Sequence, residues 1–273
     1  MRSLLGRVLL YALLLGGAFL ALLPMIWMIS ASLMPTGEAT TFPPRLFPSS
    51  ITFEHYRAVF TGLNMRRYLL NSTIIALTVT VISLFINSMA GYAFAKLRFR
   101  GRDRIFRFLG MGLVIPVQVA MLPLFLLMKQ LGLINTYWGV IIPTLASIFG
   151  IFLIRQYALA IPDDLLDAAR VDGANEFRIY RSVVLPVITP ILATLAIWTF
   201  LTTWNDFMWP LIVLSDDSKY TLPVALANLS GEHVQDTELM MAGSVMTVVP
   251  VLLVFLALQR YYIAGITGGA VKG

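Results

Sequence analysis

The chain has 273 residues, 58% of them hydrophobic and 12% charged, and its mean hydropathy is +0.82. Soluble domains carry about 25% charged side chains, so this composition sets the chain apart from them and in the integral membrane class. Without a cysteine there is no disulfide, thiolate metal site or cysteine nucleophile, and the net charge of +6 has meaning only through its placement.

A bilayer core takes about 20 mostly apolar residues per helix. The first such run is 8–30, too long for the apolar core of a signal peptide and so read as an uncleaved span. A loop follows over 31–69. Its "TFPPRLFPSS" predicts extended chain, and Phe53, Tyr56 and Phe60 share one helical face, predicting a short helix on the membrane surface. The second span is 72–95 and runs into "KLRFRGRDR". Such clusters bind nucleic acid or acidic lipid elsewhere, but directly after an apolar run this one reads as a topology anchor.

Four more spans follow at 106–128, 137–157, 183–204 and 239–262. None carries Lys, Asp or Glu in its centre. Fourteen of the twenty basic residues fall on one side of this arrangement, which places both termini in the cytoplasm. The outside loop 205–238 is acidic, with Asp216, Asp217, Glu232, Asp236 and Glu238, and reads as a solvated face or a docking surface for a soluble partner. No repeat or low-complexity linker divides the chain. The expectation is therefore one all-α membrane domain, 1–273, with six transmembrane helices.

Between the fourth and fifth spans lies a polar cytoplasmic segment, 162–186. "IPDDLLDAAR" looks like a helix start, with Pro162 and the carboxylates of Asp163 and Asp164 at its positive end. Leu165, Leu166, Ala168 and Ala169 form an apolar patch, Gly173 suits a helix end, and a second short helix is expected over 175–183. On the residues alone, two readings stand open: a rigid two-part helix gripped by a partner, or an amphipathic helix resting on headgroups.

The segment resembles the coupling loop of the membrane subunits of ATP-binding-cassette importers. That pattern runs Glu-Ala-Ala, three residues, Gly, nine residues, Ile, one residue, Leu-Pro. Here Asp167, Ala168, Ala169, Gly173, Val183, Leu185 and Pro186 stand at its positions, with Asp for Glu and Val for Ile. "ISASLMPT", "TWNDFMWPL" and "GITGGAVKG" extend the resemblance to the smaller membrane subunit of the maltose-type carbohydrate importers. The resemblance implies a type I importer transmembrane fold in a prokaryotic cytoplasmic membrane. It implies as partners a second membrane subunit, two ATPase subunits that bind ATP and Mg, an extracytoplasmic solute-binding protein and a carbohydrate. It also implies that the tail Gly268–Gly273 reaches towards the ATPases. The chain itself has no G-x-x-x-x-G-K-[ST] loop to cradle ATP, and no cofactor or metal is expected on it.

Sugar sites combine hydrogen-bonding side chains with aromatic faces. The candidates are Asn87, with Ser88 beside it, then Gln118, Trp204, Asn205 and Asp206; helix-joining hydrogen bonds and interfacial placement are their plainer roles. A secondary transporter would place ionisable groups within its spans. An intramembrane hydrolase would need a histidine there, and the two histidines, His55 and His233, fall in outside loops. The expected function is thus a non-enzymatic permease subunit of an ATP-driven carbohydrate importer. A polyol or glycerol phosphate cargo and an ion-driven transporter are the alternatives.

Overall fold

Twenty-eight residues whose one charged side chain is Arg7, near the start, form the first helix, α1, Leu4–Ala31. From Val8 to Leu23 its apolar side chains point outward all round, with Leu9, Tyr11, Leu15 and Leu20 each more than 60% exposed, while Trp27 and Ala31 at its end pack with Met34 and Ala39. A helix apolar on every side and uncovered by its own chain is built for lipid or for another membrane protein. The computed structural model describes residues 4–62, 64–232 and 236–268. All regular structure among them is helical. Five helices are long and apolar enough to span a bilayer, or up to six if one bent pair counts as a single span.

The described residues fold as two compact units, one within Met1–Leu69 and Leu222–Pro250, the other within Leu70–Thr221 and Val251–Gly273. The first unit holds α1, α2 (Glu54–Gly62), α12 (Leu222–Glu232) and the start of α13 (Thr237–Gly268). Residues 41–53 are non-helical, as their prolines dictate, and side chains fold them back. Glu38 takes the Arg45 guanidinium at 2.9 Å and the Ser49 N–H at 3.0 Å. His55 is buried against the Met34 carbonyl at 2.9 Å, and Phe53 and Phe60 on or beside α2 stay exposed. Glu238 does not join a solvated acidic face. It is fully buried, and its carboxylate accepts the Ala39 N–H at 2.7 Å.

The second unit carries most of α3 (Met65–Lys96), then α4 (Arg102–Met111), α5 (Val117–Gln130), α6 (Tyr137–Ile141), α7 (Ile148–Leu159) and α8 (Asp163–Val171). It continues with α9 (Glu176–Ile179), α10 (Leu185–Trp204) and α11 (Met208–Val213). Helices α3 and α7 meet closely: a Cβ on Gly91 would lie 2.6 Å from the Ile154 side chain. Small residues permit such contact between membrane helices.

The run expected as a third span, 106–128, is not one straight helix. Its two halves, Arg102–Val114 and Val117–Gln130, bend by 106°. Pro116 lacks an N–H and pushes Ile115 into extended backbone (ψ 119°), so the helix stops and restarts. The fourth run is also interrupted. A tight turn at Ile142–Thr144 follows α6, and the Ser147 hydroxyl then caps α7 by accepting the Gly150 N–H at 3.1 Å.

Candidate functional site

The polar segment forms a helix, a turn and a short second helix. Pro162 enters α8 in extended backbone, Asp163 and Asp164 sit in its first turn and Arg170 in its last, so the charges complement the helix dipole. The end is a Schellman motif. The Ala174 N–H bonds the Ala169 carbonyl and the Gly173 N–H bonds that of Arg170, each at 3.0 Å, with Gly173 at φ 79°. A residue with a Cβ is strained at that φ even though the surrounding space is open.

The four-residue apolar patch read from the sequence is divided by the helix. Leu166 is buried among Ile161, Ile179 and Val184, and Ala169 packs against the same cluster. Leu165, Ala168 and Val171, three residues apart, form an exposed stripe on the other side, with Val171 87% exposed. Phe177 adds a ring that is 56% exposed.

The second short helix also differs from expectation. Asn175 caps α9 by accepting the Arg178 N–H at 2.9 Å, and one π-helical turn, Tyr180–Val184, then carries the chain into α10 without a break. Pro186 lacks an N–H and crowds the carbonyl four residues before it, which a widened turn relieves. Residues 175–183 are therefore the foot of the fifth span, continuous over Glu176–Trp204. Val183 and Leu185 pack on the core cluster, and Pro186 is exposed.

Ion pairs tie this segment to the end of α3. Arg170 bridges Asp167 at 2.6 Å and Glu176 at 2.9 Å, and the Tyr92 hydroxyl donates to the other Glu176 oxygen at 2.6 Å. Lys96 reaches Asp163 at 2.7 Å and the Ile161 carbonyl at 2.6 Å. The Lys96 ammonium holds the Asp163 carboxyl below its ordinary range, and Glu176 and then Asp167 bind the Arg170 proton more tightly. The two Arg170 pairs are exposed and add little stability, so their value lies in fixing geometry.

The other candidates gather at the helix breaks. A cavity of about 460 Å³ is lined by Gln118, Asn205 and Asp206, together with Thr144 and Trp209. Asp206 and Thr144 also line a neighbouring cavity of about 490 Å³. There Thr199, Thr202 and Thr203 stand with Asp206 at helical spacing, and Phe149 and Trp198 present rings 5.6 Å apart. The threonines were missed by sequence reading, although the spacing from 199 to 206 was the available signal. Burial raises the Asp206 carboxyl, offset in part by the N–H groups of Trp209 and Met208. Irregular backbone is tolerated at membrane depth where it lines a polar cavity, and both breaks do so.

Asn87 and Trp204 lie elsewhere. Asn87 is fully buried, donating to the Ser83 hydroxyl at 2.7 Å and accepting the Ser147 N–H at 3.1 Å. It joins α3 to the start of α7, and Gly150 leaves it room, since a Cβ there would sit 2.8 Å from its amide nitrogen. Trp204 is 1% exposed and stacks on Phe200 at 5.6 Å. Ser88 is buried against the Tyr180 hydroxyl at 2.7 Å. His233 and, apart from Gly268, the tail Gly268–Gly273 lie outside the described residues.

Residues 87–267 match the family model described as a binding-protein-dependent transport system inner membrane component. The arabinooligosaccharides transport system permease protein AraQ of Halalkalibacterium halodurans is 41% identical over 94% of this chain and 93% of its own. The lactose transport system permease protein LacG of Rhizobium radiobacter is 34% identical over 94% of each. Among solved structures, a chain of a bacterial ABC transporter that imports the acidic polysaccharide alginate superposes with a TM-score of 0.85. It is 28% identical, with 96% of this chain and 99% of that chain covered.

Proposed function

The chain belongs to the family of binding-protein-dependent transport system inner membrane components, and from that premise we propose that it forms half of the translocation pathway of an ATP-driven carbohydrate importer. Its partners are a second membrane subunit, two ATPase subunits and an extracytoplasmic solute-binding protein. The protein catalyses no reaction itself; ATP and Mg bind to the ATPases. It lies in the cytoplasmic membrane of a prokaryote with both termini inside.

The observation that carries this reading is the exposed stripe Leu165, Ala168 and Val171 on a helix whose other face is locked to the spans. Apolar side chains held outward on a rigid polar segment mark a protein contact. In this reading the stripe sits in a cleft of an ATPase subunit, and closure of the ATPase pair tilts α8. The tilt passes to α3 through Arg170, Glu176 and Tyr92 and through Lys96, and to α10 through its continuous foot. Those helices carry the cavity wall: α10 bears Thr199 and Thr203, and α3 holds Ser147 at the α7 break through Asn87.

A carbohydrate suits the two neighbouring cavities, whose walls carry hydroxyls, amides and the shared Asp206 carboxylate beside aromatic rings. The cargoes named for the two relatives, arabinooligosaccharides and lactose, agree in class. Gln118, Asn205 and Asp206 are the proposed pathway contacts, while Asn87 and Trp204 act from behind the wall.

The test is purification of the tagged chain from gently solubilised membranes together with the variants Leu165→Glu and Ala168→Glu. Wild type should bring an ATPase subunit with it. Each variant should insert normally and lose ATPase recovery and uptake by on the order of thirtyfold or more, as removal of an interface anchor does. Uptake driven by an ion gradient without ATP would overturn the reading.

A further inference from the structure

The turn between α3 and α4 is the most basic surface of the described protein, and nothing in the transport mechanism uses it. Arg98, Arg100, Arg102, Arg104 and Arg107 line one concavity of about 960 Å³, in which Asp103 is the one acidic residue. Asp103 is already engaged: its carboxylate takes Arg102 at 3.1 Å and its carbonyl takes Arg107 at 3.3 Å. The side chains of Arg98, Arg100 and Arg104 make no hydrogen bond or salt bridge with another described residue, and the Arg98 charge adds only a minor share to the lowering of the Asp163 carboxyl.

The platform beneath these arginines is fixed. Phe99 packs on Phe94 at 5.7 Å, Phe94 on Phe106 at 5.5 Å, and Phe106 stacks on Phe152 at 6.0 Å, so α3, the turn, α4 and α7 are joined by one chain of rings. Gly101, at φ 86°, turns the backbone so that arginines before and after it face one hollow. On the outer side of α4, Ile105, Phe108 and Met111 form an exposed apolar stripe leading away from that hollow, with Phe108 74% exposed.

We infer that this concavity is a binding site for an anionic phospholipid, with the phosphate held by Arg98, Arg100 and Arg104 and the acyl chains lying along Ile105, Phe108 and Met111. Planar guanidinium groups bind phosphate oxygens in pairs, which a lysine cannot do. A water-soluble anion would match the arginines but leave the adjoining apolar stripe unused; an amphiphile satisfies both. The site is distinct from a topology signal, which needs charge on one side of a span but neither a shared concavity nor a fixed platform. The inference needs the membrane setting and not the transport reading, so its failure leaves that reading untouched.

Native mass spectrometry of the full chain in its complex tests it, with phosphatidylglycerol and phosphatidylcholine of matched acyl chains as probes. Wild type should retain phosphatidylglycerol selectively, and the triple variant R98Q/R100Q/R104Q should lose retention by on the order of a hundredfold. Because neutralised arginines can disturb insertion, R98K/R100K/R104K is measured beside it; it keeps the orienting charge and should retain phosphatidylglycerol selectively but more weakly than wild type. Equal retention of both lipids by wild type, wild-type retention by the glutamine triple, or full displacement of the lipid by inorganic phosphate at matched concentration would each overturn the inference.

Discussion

The coupling segment and the cavity wall are both polar regions of a mostly apolar chain, yet they are built on opposite plans. In the segment at 162–186, charges are concentrated and paired: Arg170 with Asp167 and Glu176, Lys96 with Asp163. Its turn depends on one glycine at positive φ. In the cavity wall polarity is diluted over threonines, a glutamine, an asparagine and interrupted backbone, with Asp206 its one acid. A part that must transmit force benefits from rigid, charged, geometrically exact joints. A part that must let a hydroxyl-rich solute bind and leave benefits from many weak contacts. Thr202 shows the economy of the second plan. Its hydroxyl bonds the Trp198 carbonyl at 2.9 Å and so needs no solute to be satisfied when the cavity is empty.

This contrast can be broken most directly at Asn87, which by its polarity belongs with the wall but by its contacts belongs with the frame. Asn87→Leu strands the Ser147 N–H and should cost about 1–3 kcal/mol of stability, read as a lowered thermal midpoint in detergent, with solute affinity unchanged. A changed affinity at unchanged stability would return Asn87 to the pathway. Asp206→Asn should weaken apparent solute affinity by about tenfold, the value of a hydrogen bond to a charged group. It should also change the pH profile. Burial raises the Asp206 carboxyl above its ordinary 3.8, so the folded protein holds this proton longer than the unfolded chain. The contribution to stability is whole below 3.8 and declines as pH rises through the raised value; the asparagine variant should lack that slope. The smallest effect is expected at Tyr92→Phe, which removes one hydroxyl from Glu176. It should cost about 1 kcal/mol and raise the ATP hydrolysed per solute imported in reconstituted vesicles, while leaving solute affinity intact. An unchanged coupling ratio would remove Tyr92 from the path between α8 and α3.

Much of the fold was legible. Six apolar runs stand out from composition, and helices cover all of them, although Pro116 bends the third by 106°. A proline in an apolar run is ambiguous in sequence, because membrane helices often carry one without breaking. Pro123 and Pro190 lie inside α5 and α10. The segment at 162–186 was legible in its start and its glycine turn. Its division into a buried and an exposed face was not, because Leu165 and Leu166 are chemically equivalent until a neighbouring helix covers one of them. The acidic loop was misread at Glu238 for the same reason: a carboxylate is solvated unless a folded segment, here the Ala39 N–H, replaces its water.

By itself the sequence determined which runs are apolar enough to prefer a bilayer to water, since transfer of apolar area depends on composition alone. It also determined the one cytoplasmic segment whose spacing matches a coupling loop. Only the tertiary structure decided which polar side chains face open space. Asn87, Ser88, Gln118 and Asp206 are all hydrogen-bonding side chains in or beside apolar runs of the sequence, but the first two are consumed by Ser83, Ser147 and Tyr180, and the last two are left lining the cavity. A hydrogen bond is a property of two groups brought together; Ser83 is one turn away on the same helix, but Ser147 and Tyr180 reach α3 only through the fold.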